Sequence, residues 1–136
     1  MITIRKITTY GPHLDDLHNF AVTNAASLAV CTPGAALERK ELTRWIDTEQ
    51  IIYVAEDNGV LIGYALVTTK GYITWLIFES KHCSAIMPPL VKSIVDSHGA
   101  CWGNIKSEAF RTQVAGVLNA AHVPVTVDGI IVTAVV

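Results

Sequence analysis

The pair Asn58-Gly59 constrains the fold of this chain more than any other two residues. It separates two runs, Ile-Ile-Tyr-Val-Ala-Glu-Asp (51–57) and Val-Leu-Ile-Gly-Tyr-Ala-Leu-Val-Thr-Thr (60–69), both rich in β-branched and aromatic residues. Asn-Gly between two such runs favours positive φ at both turn positions and is the strongest short-range signal for a β-hairpin. Lys70-Gly71 makes a second turn, and Tyr72 to Phe78 reads as a third strand. A three-strand antiparallel meander therefore occupies the middle of the chain.

The flanks follow from punctuation and period. Ile2 and Ile4, with Ile7 after them, are set against Thr3, Arg5 and Lys6, so the chain opens on a half-buried strand. Gly11-Pro12 stops it. Leu14, Leu17, Ala21 and Leu28 recur near helical spacing and predict a helix over 12–29. A second helix has Thr32 as cap, Pro33 at its first position, and Leu37, Leu42, Trp45 and Ile46 as its buried stripe. Asp47 to Gln50 is a polar turn. After the meander, a helix is expected from Pro88 to His98, closed by Gly99. Ala100 to Ile105 reads as a short strand, and Ser107 caps a last helix with Phe110, Val114, Val117, Leu118 and Ala121 inside. Val123 to Val127, the turn Asp128-Gly129 and Ile130 to Val136 form a terminal hairpin.

The predicted order is β-α-α-β-β-β-α-β-α-β-β, an α/β (α+β) domain spanning residues 1–136 with a mixed, mostly antiparallel sheet and helices on both faces. Because a helix separates 72–78 from 100–105, those two strands are expected as parallel neighbours joined by a right-handed crossover. Phe78 and Ile105 should end side-by-side strands that diverge, leaving a slot beneath the helix near Pro88.

Composition narrows the function classes. The chain is 51% apolar and only 16% charged, with a net charge of −2. No Lys/Arg cluster provides a footprint for nucleic acid, and no apolar run reaches the roughly 18 residues of a membrane span. Cys31, Cys83 and Cys101 are odd in number and widely spaced, which points to free thiols in a reducing, cytoplasmic setting. Ile130 to Val136 carries no charged side chain. Such a strand must lie inside a sheet or be completed by another subunit, giving a homo-oligomer or a docked protein partner.

This element order, together with Trp102-Gly103-Asn104 before the Phe110 helix, resembles the GNAT superfamily of acetyl-CoA-dependent N-acetyltransferases. The resemblance implies an acetyl-CoA cofactor whose pyrophosphate meets backbone N–H groups at a helix start, and whose pantetheine arm pairs with strand backbone in the splay. It implies a primary-amine acceptor, on a small molecule or a protein, and Glu79 as general base. Ile77, Phe78, Ser80, Ser84, Ala85 and Asn104 would hold the cofactor. The chain departs from the family pattern in two places. Glu79 to Met87 contains no glycine, and Pro88 and Pro89 are expected to remove donors where the helix begins, with Lys81 and His82 offsetting the loss through charge. Seven residues after Asn104 stands Arg111, where the family often has a tyrosine that protonates the thiolate. The alternative reading is a GNAT-like domain that has lost the cofactor and binds or builds, as in phage-encoded relatives with degenerate loops, among them podovirus internal virion proteins.

Other candidates are weaker. His82-Cys83 suggests a thiol–imidazole pair, but neighbours on an extended chain point to opposite faces. His98, Cys101, His82 and Cys83 lack the spacing of a zinc site, so no metal is expected. Trp45, Trp75 and Trp102 read as core, and Tyr53, Tyr64 and Tyr72 as packing with wet hydroxyls.

Overall fold

The computed structural model describes residues 2–7, 16–17, 19–20, 28–30, 51–105 and 107–134. The expected helix with Thr32, Pro33, Leu37, Leu42, Trp45 and Ile46, the turn 47–50 and Cys31 lie outside the described residues, as does most of the expected helix 12–29. Residues 16–17 and 19–20 are helical.

The meander is as the turn chemistry requires. Strands β3 (Ile51–Asp57) and β4 (Val60–Val67) are joined through Asn58 and Gly59, both at positive φ, and β5 (Ile73–Glu79) follows. With β1 (Ile2–Ile7) and β2 (Leu28–Val30) they make a five-stranded antiparallel sheet ordered β1-β3-β4-β5-β2. Leu28 was expected at the end of a helix and instead pairs with Glu79. Two register shifts shape the sheet. Ala55 pairs with Gly63 and Glu56 with Leu61, so Ile62 is an extra residue in β4; Leu66 pairs with Trp75 and Val67 with Ile73, so Thr74 is extra in β5. The Thr74 hydroxyl bridges the second bulge by donating to the Leu66 carbonyl at 3.0 Å. Each extra residue flips the alternation, which sends Ile73 and Trp75 to opposite faces.

Helix α1 (Cys83–His98) follows β5 through a 3-10 turn at Ser80–His82. It begins five residues before the expected Pro88, because the turn already curls the chain at Ser80. Gly99 closes it, its N–H on the Val95 carbonyl. Strand β6 (Trp102–Asn104) leads to α2 (Glu108–Ala120), where Ser107 accepts from the Phe110 N–H as expected. Strands β7 (Val125–Asp128) and β8 (Ile131–Ala134) end the described chain. They form a second antiparallel sheet ordered β6-β8-β7. Strand β8 is thus paired on both edges, the interior position that its uncharged sequence allowed, so its pairing gives no argument for a completing subunit.

Two cores lie on either side of the large sheet. Tyr53, Ala65, Leu76 and Phe78 face α1 and α2, meeting Ile86, Leu90, Ile94, Val114 and Leu118. Ile52, Val54, Tyr64, Leu66, Trp75 and Ile77 face Leu17 and Phe20 on the other side. Gly63 lies opposite Phe78, where a Cβ would come within 2.6 Å of the Phe78 Cβ.

Candidate active site at the strand divergence

The region of interest is where the two sheets meet. Gly71 accepts from the Trp102 N–H at 3.1 Å, and Tyr72 and Trp102 form a single parallel bridge. Gly71 has φ +84°, and a Cβ there would fall 2.0 Å from the Ala100 carbonyl oxygen, so the junction tolerates only glycine. Beyond that bridge, β5 continues in the large sheet while β6 turns to β8. The expected parallel neighbours are therefore present as one bridge followed by divergence.

The space between the diverging strands is mostly filled. Ile73 and Leu76 of β5, Trp102, Gly103 and Ile105 beside them, and Met87, Val91, Val114 and Leu118 from the helices leave an apolar cavity of about 40 Å³. That is scarcely more than the volume of one water. The outer edge of β5 is also taken. Val30, Ala29 and Leu28 pair with Ile77, Phe78 and Glu79. The open slot expected between Phe78 and Ile105 is absent from this structure, because β2 backbone and core side chains occupy it.

The helix start is better furnished than expected. Since α1 begins at Cys83, Pro88 and Pro89 are its sixth and seventh residues. They deprive the Ser84 and Ala85 carbonyls of partners, yet leave the first-turn N–H groups intact. The first turn carries no acidic residue, Ser84 and Ala85 are exposed, and Lys81 and His82 precede it. Helix dipole and side-chain charge agree in favouring an anion there. Beside it, Ser84 and Pro88 share an open groove with Thr112, Gln113 and Gly116 of α2, residues with no sequence signal of their own.

The remaining candidates separate. Glu79 ends β5 opposite Leu28, and Ser80 opens the 3-10 turn. Phe78 and Ile77 are buried on opposite faces of the sheet. The Asn104 side-chain amide donates to the Tyr72 hydroxyl at 3.3 Å, and the Tyr72 ring packs on Trp102 at 4.4 Å. Arg111 donates from Nη1 to the Ile105 carbonyl at 2.8 Å, tying the first turn of α2 to the end of β6. In the sequence Arg111 stands out only as the residue at a position where the family often has a tyrosine.

Cys83 is buried, which pushes its thiol pKa up and leaves it a poor nucleophile beside His82. His82 and Cys83 start α1 while His98 and Cys101 sit at its far end, and 16 residues span roughly 24 Å, so the four cannot share a metal. His98 instead meets Tyr53, with 2.9 Å between Nε2 and the phenol oxygen. Trp75 is core, as expected. Tyr64 is buried down to its hydroxyl rather than wet at the tip. Burial pushes its pKa up to about 12, and the neighbouring Trp75 indole offsets a little of that rise.

No protein-family model matches the sequence, and no curated protein matches it. Solved structures do. An N-acetyltransferase from Staphylococcus aureus Mu50 superposes with a TM-score of 0.65 at 12% identity, covering 98% of this chain and 94% of that one. The Campylobacter jejuni N-acetyltransferase PseH, solved with acetyl coenzyme A, gives 0.55 at 9% identity, with 98% and 96% covered. An acetyltransferase of the GNAT family from Streptococcus pneumoniae gives 0.55 at 18% identity, with 98% and 96% covered. The fold of this chain is that of the GNAT acetyltransferases.

Proposed function

We propose that the chain is an acetyl-CoA-dependent N-acetyltransferase acting on a primary amine, working in the cytoplasm. The observation that carries this reading is the divergence of β5 from β6 after one parallel bridge, with the N-terminus of α1 at the C-terminal end of β5. The Ser84 and Ala85 N–H groups, with Lys81 and His82, would meet the pyrophosphate. Fit at this end is good. At the other end the pantetheine arm, which carries two amides on an extended chain, fits only the edge that β2 now holds.

The acetyl thioester supplies the electrophilic carbonyl. Glu79 is assigned to take the proton from the amine as nitrogen attacks that carbon, directly or through one water. The C–N bond would form as the C–S bond breaks, the thiolate would take a proton from water, and the proton held by Glu79 would return to solvent, so that charge and protons balance. The Arg111 guanidinium, which donates to the Ile105 carbonyl, would offer charge to the departing thiolate rather than a proton.

A thermal-shift titration with acetyl-CoA tests the reading. At about one hundred times the dissociation constant, binding adds roughly 2.7 kcal/mol, a rise of several degrees in Tm for a domain of this size. A flat Tm at millimolar acetyl-CoA favours the second reading, a non-catalytic GNAT-like binding or structural domain. That reading draws on the filled divergence and the occupied β5 edge.

A further inference from the structure

We propose that Leu28–Val30 is an intrachain competitor for the cofactor arm: β2 holds the outer edge of β5 in the unliganded protein and must leave it for acetyl-CoA to bind. The proposal rests on the acyl-transfer reading and concerns how its site is controlled.

Strand β5 gives its inner edge to β4, from Ile73 to Phe78. On its outer edge, Tyr72 bridges Trp102 at one end and Ile77 to Glu79 pair with β2 at the other. An outward N–H or carbonyl on a strand edge takes one ladder partner at a time. An extended amide-bearing arm running from the start of α1 along β5 would use the groups at Ile77–Glu79, as a peptide does when it adds a strand to a sheet. Strand β2 and the arm therefore exclude one another.

The pairing is also of a kind that can be exchanged. Strand β2 has three residues, the short limit for strands. Its ladder bonds are set against the backbone entropy of ordering those residues, so the net hold is small. An arm that forms equivalent bonds releases β2 without leaving β5 backbone unsatisfied. Occlusion lowers apparent affinity by the fraction of molecules whose edge is free.

Hydrogen exchange on the intact chain, with and without acetyl-CoA, reads this directly. Amides of Leu28–Val30 should exchange faster on adding acetyl-CoA, while those of Ile77–Glu79 stay protected. Ala29→Pro and Val30→Pro occupy alternate ladder positions, so one of them removes a β2 donor whichever way the pattern falls. That variant should bind acetyl-CoA about tenfold more tightly. Equal affinity in wild type and both variants, with 28–30 protection unchanged by ligand, would overturn the proposal and leave the acyl-transfer reading standing. Binding to neither form, although Ile77–Glu79 exchange faster in a variant, would overturn the acyl-transfer reading and this proposal with it.

Discussion

At the scale of single residues, the turn positions were the most legible in the sequence, because their demands are local. Asn58, Gly59 and Gly129 have the positive φ their dipeptides announced. Gly71 was legible as a turn but not as the joint between two sheets, since the Ala100 carbonyl it admits is set by tertiary packing. Gly71→Ala should cost more than about 2 kcal/mol, from a strained φ and a backbone clash, read as a lower denaturation midpoint with unchanged m-value. Tyr64 gives a pH-dependent counterpart. Its folded pKa of about 12 lies above the unfolded value near 10, so the stability it contributes is full below pH 10 and is lost as pH rises through 12. That loss is about 2–3 kcal/mol. Wild type should therefore fall more steeply than Tyr64→Phe between pH 10 and 12, and parallel curves would refute the assignment.

At the scale of elements, the meander, the capped helix from Glu108 and the terminal hairpin were all readable from period and punctuation. Two elements were not. Helix α1 was expected from Pro88, but the 3-10 turn at Ser80–His82 starts the coil earlier and leaves both prolines inside the helix. Pro88→Ala and Pro89→Ala should each restore a partner to the Ser84 or Ala85 carbonyl and stabilise by about 1 kcal/mol, a few degrees in Tm. Strand β2 was hidden because Leu28 also fits a helical spacing with Leu14, Leu17 and Ala21. What makes 28–30 a strand is the free edge of β5, which no local pattern encodes.

At the scale of the whole molecule, two antiparallel sheets share one parallel bridge at Tyr72 and Trp102, with α1 and α2 packed across the larger one. The sequence carried the order of elements from β3 to β8, and with it the fold. It did not carry the state of the site, which depends on which groups fill the divergence and which hold the edge of β5. Glu79→Gln should abolish most turnover while leaving acetyl-CoA affinity within about twofold, because general-base catalysis typically contributes 10²–10⁴-fold. The most direct measurement is backbone amide NMR of the whole chain titrated with acetyl-CoA. Saturable shifts centred on Ile77–Glu79 and on Cys83–Ala85 are predicted. Spectra that do not change at millimolar acetyl-CoA, or that change only at residues away from β5 and the start of α1, would contradict the account.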